Sequence, residues 1–421
     1  MNALGPVIAA ALLMLQAQPP QPDRRPTFRS ATALVEVDII ARDGSGRFVP
    51  DLTADDFEVF EDDRLQTIAH FYLVARPGAA TSVPAVVSSG DAVRAPDRTE
   101  RRVFVFFFDS EHLSSASLLK LKLAAMDFVN GEMRPDDFAG IYVNGVLVNG
   151  RLTNQKQELL DAIRGAEPAT DNVETRMRAL LEFPRIDSYL EATRIENGDR
   201  GALDDAGQRA CGGGDTARLC ENEGGREYVE DKLQRKARVH ADQARHAAGA
   251  TVRSLTYVLR NLSGLDGRKT LLLLSEGFNM DNARANLRML AGQASRAGVT
   301  IYAVDARGAG ARTGSSPAAD PTVQGPGLSG IGDTTDEGLD VLTAQTGGLT
   351  MRMRDDFRGA LNEIAADTSS YYVLGYTPQN PTLDGKYRRI TLKLKQRGVT
   401  LRARQGYVAT PLPPRRAIRT R

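Results

Sequence analysis

The sequence predicts an α/β protein: a doubly wound, Rossmann-like, mostly parallel sheet inserted between N- and C-terminal β segments. Three observations predict it. Continuous apolar runs of strand length, VFVFFF (103–108), TLLLL (270–274) and VTIYAV (299–304), each end at an acidic or Ser-acidic position. Such runs suit strands buried on both faces of a parallel sheet. Segments with helical periodicity separate them, and strand-rich segments with alternating patterns flank the whole.

The chain has 421 residues, enough for two or three domains. It carries 54 basic and 53 acidic side chains, a net charge of +1. That balance removes the electrostatic case for nucleic acid as a partner and gives no attraction to anionic membranes. Trp is absent, which leaves little material for a stacking surface.

Residues 1–17 read as an export signal. Ala3 to Leu15 is apolar apart from Gly5 and Pro6, and is too short to span a bilayer. The expected location is therefore outside the cytoplasm (periplasmic, cell-envelope or secreted), with no membrane-spanning segment in the mature chain. Residues 18–32 form a Pro/Gln-rich leader.

The N-terminal β segment spans 33–75. LVEVDIIA (34–41) alternates in part, and Phe57, Val59, Leu65, Ile68 and Phe71 mark short strands around a turn at Asp62-Asp63. Residues 76–99 are a linker without periodicity, and the α/β domain then occupies 100–369. After VFVFFF and Asp109, a helix starts at Ser114 or Ser115. FAGIYVNG (138–145) and VLVNGRL (146–152) form a hairpin turning at Asn144-Gly145. Helices are expected at 154–163, 172–196 and 226–261, with a Gly-rich insertion at 197–225. Asp281 should cap a helix running to about Ala297, ended by Gly298. A loop at 306–333 precedes helices at 335–345 and 355–366, with a short strand at 349–353 between them. Residues 370–410 hold three strands, and 411–421 is a basic tail. Each terminal β segment has too few strands for its own core. Together they suffice for one sandwich, which predicts that they pack on each other.

The two cysteines, Cys211 and Cys220, flank a flexible Gly-rich stretch. In an oxidising compartment the pair is expected to form a disulfide that staples a loop. Their spacing is wrong for a Cys-x-x-Cys zinc or redox motif.

Ligands of open α/β sheets sit beyond the carboxyl ends of the strands. There this chain places Asp109, Glu276 and Asp305, with Ser110, Glu111, His112, Leu113, Ser114 and Ser115 following Asp109. Clustered oxygens suit a hard cation such as Mg²⁺; equally, carboxylates occupy strand ends because loops are solvated. The loop after the first strand is acidic and glycine-free, which argues against a nucleotide phosphate. His70, His112, His240 and His246 form no zinc constellation, and no Gly-x-Ser-x-Gly elbow is present, so hydrolysis is disfavoured and the chain is not expected to be an enzyme.

Asp109 after the first apolar strand, LLLLSEG at the fourth and VTIYAVDARG at the fifth resemble a von Willebrand factor A domain. With LTADDFEVFEDDRLQTIAHF near the start, and TAQTGGLTMRMRDDFRGAL and SSYYVLGYTPQNPTLDGKYRRITLKLK near the end, residues 33–409 are similar to the Acidobacterial von Willebrand factor A-related proteins. The resemblance implies an exported adhesion or protein-binding module with a metal-ion-dependent adhesion site. In the family's Asp-x-Ser-x-Ser motif, Asp109 matches the Asp, whereas Glu111 and Leu113 stand at the serines and Ser114 lies one place late. Thr170 in PATDN matches the loop Thr, and Glu276 stands where the family has an Asp. The implied Mg²⁺ ligands are Asp109, Glu111, Thr170 and Glu276, with Ser110, His112 and Ser114 on the binding rim. The departures leave a second reading, a structural cell-envelope protein whose domain works without metal.

Overall fold

The computed structural model describes residues 34–74, 101–213, 215–265, 267–278, 284–307, 335–352 and 356–411. The expected export signal and leader, the linker at 76–99, the Asp281 cap, most of the 306–333 loop and the basic tail beyond 411 lie outside these residues.

A six-stranded, mostly parallel sheet forms the centre. Its strands in chain order are β5 (Arg102–Phe108), β6 (Phe138–Val143), β7 (Val146–Leu147), β8 (Arg268–Ser275), β9 (Val299–Asp305) and β10 (Thr350–Met351). Across the sheet the order is β10-β9-β8-β5-β6-β7, and only β7 runs antiparallel to its neighbour. All seven residues of β5 are buried, because helices cover both faces of the sheet. Its side chains alternate between two cores, as strand geometry requires. Phe104, Phe106 and Phe108 pack under α1 (Ser115–Gly131), α2 (Lys156–Arg164) and α10 (Phe357–Asp367). Val103, Val105 and Phe107 pack under α7 (Glu223–Leu262), α8 (Arg284–Arg296) and α9 (Thr335–Thr346). The tight β6–β7 turn holds Asn144 and Gly145 at φ 50° and 72°. That left-handed pair is the hairpin geometry Asn-Gly favours.

The remaining helices form a separate cluster. The stretch expected as one helix at 172–196 is broken into α3 (Val173–Leu181) and α4 (Tyr189–Glu196). Pro184 lies in the break, where its missing N–H and its restriction of Phe183 interrupt a helix. The stretch 197–225, expected as a Gly-rich insertion, contains α5 (Arg200–Cys211) and α6 (Asp215–Leu219). A Cys211–Cys220 disulfide, with the two Cα atoms 5.7 Å apart, ties the end of α5 to the turn after α6. These helices bury Met177, Leu180, Ile195, Leu203 and Ala206 against Val229, Leu233 and Ala237 of α7. The 40 residues of α7 extend about 60 Å at 1.5 Å per residue. Its first half serves the helical cluster, and its second half covers the sheet with Leu255, Val258, Leu259 and Leu262.

The terminal strands form two facing sheets. The first contains β1 (Val35–Asp43), β4 (Ile68–Val74), β11 (Tyr371–Tyr376) and β13 (Val399–Ala403), in the order β13-β1-β11-β4. The second contains β2 (Phe57–Glu61), β3 (Arg64–Gln66), β12 (Tyr387–Leu394) and β14 (Gly406–Val408), in the order β14-β12-β2-β3. Val37, Ile39, Phe57, Val59, Tyr372, Leu374 and Ile390 share one core between them. The segment expected as a single last strand is thus divided: β13 and β14 belong to different sheets, and the chain crosses at Arg404-Gln405. β4 and β11 lie side by side, with Val74 opposite Tyr371. The α/β unit therefore leaves and re-enters the sandwich at adjacent points. Contacts between the units are ionic as well as apolar. Buried Asp367 at the end of α10 takes Arg42 and Arg402 from the sandwich, and Arg404 donates to the Ser295 carbonyl at 2.6 Å.

Candidate functional site at the end of the parallel sheet

β5, β8 and β9 deliver Asp109, Ser275-Glu276 and Asp305 to one end of the sheet. Asp109 N donates to Leu274 O at 2.9 Å, and Glu276 N donates to His112 O at 3.0 Å. The first two strand ends are therefore stitched together by backbone. Gly277, at φ +86°, lets the chain turn away directly after Glu276, a conformation that favours glycine.

Asp109 caps a short 3-10 turn, Ser110–His112, and is 2% exposed. Both its oxygens are engaged. Oδ1 accepts from Thr251 Oγ1 of α7 at 2.7 Å. Oδ2 accepts from Ser275 Oγ at 2.8 Å and lies 3.1 Å from His112 Nδ1. Burial pushes this carboxyl upward, but the His112 charge and the hydrogen bonds from His112, Thr251 and Ser275 outweigh it and hold the pKa below the ordinary value. The His112 ring packs on Phe278, with centroids 5.5 Å apart.

Glu276 is also buried, and faces the start of α1. Its Oε1 accepts from Ser114 N at 3.0 Å and Ser114 Oγ at 2.5 Å. Ser114 is the N-cap of α1, and its Oγ also accepts from Ser117 N. Among the described residues, Glu276 Oε2 is buried without a hydrogen-bond partner. Asp305 is occupied by Arg307, whose backbone N and Nε both donate to Oδ1.

The other expected ligands stand apart from this pair. Glu111 turns toward Arg176 of α3, with Oε2 3.5 Å from Nη1, while its backbone carbonyl accepts from Arg176 Nη2 at 2.5 Å. Thr170 lies in the exposed turn before α3, and the contact it makes there is through its carbonyl, which accepts from Thr175 Oγ1 at 3.4 Å. As arranged, Asp109, Glu111, Thr170 and Glu276 do not fit a shared Mg²⁺. Asp109 is surrounded by donors, Glu111 pairs with a guanidinium, and among the described residues no group of three or more His, Cys, Asp or Glu side chains is disposed to hold a metal.

The residues expected on the binding rim lie inside the protein. Ser110, His112 and Ser114 are all buried, because the 3-10 turn folds under α7 and the loop before α3. Ser110 Oγ accepts from Asn144 N at 2.9 Å, and its carbonyl accepts from Ala169 N at 3.2 Å. Glu111 and Asp171 keep accessible side chains here, beside the buried guanidinium of Arg176.

Among the described residues, the groups around Asp109 are not arranged as a hydrolytic triad, although Thr251 Oγ1 also lies 3.2 Å from His112 Nδ1. Ser275 and Thr251 point their hydroxyl protons at the carboxylate, whereas a nucleophilic serine must hand its proton to the histidine. Thr251 and Arg176 were missed by sequence reasoning. Each sits inside a helical stretch, where a lone polar residue carries no signal that it turns inward.

No protein-family model and no curated protein matches this chain. Among solved structures, it is similar to an aerotolerance-related membrane protein from Bacteroides fragilis bearing multiple mutations to serine. The TM-score is 0.30 and the identity 10%, over 63% of this chain and 98% of that one. At that level the likeness assigns no function.

Proposed function

We propose that the chain is an exported protein-binding module of von Willebrand factor A type, whose α/β unit recognises its partner at the Glu111 end of the sheet without a resident cation, and that it is not an enzyme. One observation carries the metal-free part: both oxygens of Asp109 are satisfied within the protein by Thr251, Ser275 and His112. In this reading the acidic strand end has become a structural clasp, and recognition falls to the accessible Glu111 and Asp171 carboxylates. The resemblance noted from the sequence supports a binding role. The Cys211–Cys220 disulfide supports an oxidising compartment, and no helix of the described residues is long and apolar enough to cross a membrane.

A second reading, in which a divalent cation completes the site, is favoured by one atom. Among the described residues Glu276 Oε2 is a buried carboxylate oxygen without a partner, and such an oxygen would suit a cation that arrives with the binding partner.

Photocrosslinking tests the proposal. A benzophenone side chain at position 111 should trap a protein partner in cells that express the chain. The same group at exposed position 119 on α1 should not. Trapping that persists in EDTA supports the metal-free reading, and trapping abolished by EDTA supports the cation. No adduct from position 111 would overturn recognition at this end and favour a structural cell-envelope role.

A further inference from the structure

A second surface, remote from the Asp109 end, has the form of a peptide site. β12 and β13 are consecutive in the chain but diverge into opposite sheets of the sandwich. On the side of β12 away from β2, β14 pairs with Tyr387 to Arg389, and Gln405 O takes Ile390 N. No described strand pairs that side of β12 beyond Ile390. Among the described residues β13 is the edge of its own sheet, paired by β1 alone. The result is a groove of about 680 Å³ between two open strand edges, with Leu392, Leu401 and Ala403 on its apolar walls. The crossing at Arg404-Gln405 borders it on one side, and α8 of the α/β unit contributes Arg288.

Charge is distributed unevenly around this groove. Arg288, Arg389 and Arg404 line it, and among the described residues no Asp or Glu does. Arg404 spends its Nη atoms on the carbonyls of Ser295 and Glu36. Arg389 is paired with Asp63 at the outer end. Arg288 is exposed and, among the described residues, makes no ion pair. Unpaired strand edges supply donors and acceptors to an added strand, and their alternate side chains read its sequence. Arginines at the mouth select for carboxylates. The five residues of β13 offer about 17 Å of edge, room for a five- or six-residue segment.

We infer that the groove between β12 and β13 binds an acidic peptide segment in extended conformation, by strand addition to the β13 edge with its carboxylates against Arg288 and Arg389. The occupant is distinct from the partner proposed at the Glu111 end.

The test uses the full chain and a fluorescein-labelled Glu-Val-Glu-Val-Glu-Val peptide, with the Gln-Val repeat as control. The acidic peptide should bind saturably and slow amide exchange at 399–403. The Gln peptide, and the acidic peptide on an Arg288→Gln/Arg389→Gln variant, should each bind about tenfold more weakly. Both arginines are exposed, so the variant should keep its fold, which its melting curve would check. Glu111→Gln should leave binding unchanged, separating this site from the proposed recognition surface. Equal binding of the two peptides, exchange protection elsewhere, or no saturation of the acidic peptide at millimolar concentration would overturn the proposal.

Discussion

Thr251 Oγ1 donates a 2.7 Å hydrogen bond to Asp109 Oδ1, joining the second half of the 40-residue helix α7 to the end of the central strand. The bond is buried and its acceptor is charged, so its loss leaves a carboxylate oxygen short of a donor. Thr251→Val keeps the shape and removes the donor. Its expected cost is about 1.5–3 kcal/mol in urea unfolding, with Thr251→Ser recovering most of it. A Val variant as stable as the parent would show that the contact does not contribute.

The depressed pKa of Asp109 gives stability a pH signature. A carboxyl with a lower pKa folded than unfolded contributes fully above its unfolded value, ordinarily 3.8, and loses that contribution as pH falls through the folded value. Unfolding free energies of the parent and Asp109→Asn should therefore differ by a constant amount above about pH 5 and converge below about pH 4. A gap that widened on acidification would contradict the assignment.

The disulfide closes a short loop, a sequence separation of 9. On the chain-entropy account its removal costs at most about 2–3 kcal/mol. The double variant Cys211→Ser/Cys220→Ser should loosen α5 and α6 first, with exchange rates at 200–220 rising while those of β5 and β8 hold. Equal loss of protection in the central sheet would mean that the helical cluster and the sheet unfold as one unit.

Asp367 is the ionic clamp between the units, 1% exposed and paired with both Arg42 and Arg402. Asp367→Asn leaves two guanidinium groups without their shared counter-charge. A loss of about 3–5 kcal/mol is expected, together with faster proteolysis near the crossings at Val74 and Tyr371. An unchanged melting temperature would remove the clamp from the account.

The central sheet was legible because a strand buried on both faces must be apolar at every position, and VFVFFF and TLLLL are. The Asn144-Gly145 turn was legible because its chemistry is local. The pairing of Val35 with Tyr376, or of Ile390 with Glu61, was not. Counting strands suggests a shared core, but register is set by partners more than 300 positions away. The division of the last strand follows from which sheet each half joins, a tertiary choice. At the site, Asp109 and His112 were visible as near neighbours in sequence. Their buried state was hidden, because it depends on Thr251 and on the loop before α3 closing over Ser110. Glu111 was expected as a ligand from the family resemblance, and the guanidinium of Arg176 that claims it comes from a different helix.

The most direct test of the central claim is calorimetric titration of Mg²⁺ and Mn²⁺ into the purified chain beginning at residue 18, alongside Asp109→Ala and Glu276→Gln. If Asp109 is a clasp closed by Thr251, Ser275 and His112, no saturable heat should appear up to millimolar metal. Saturable binding that disappears in either variant would contradict the account and establish a cation site at the end of the sheet.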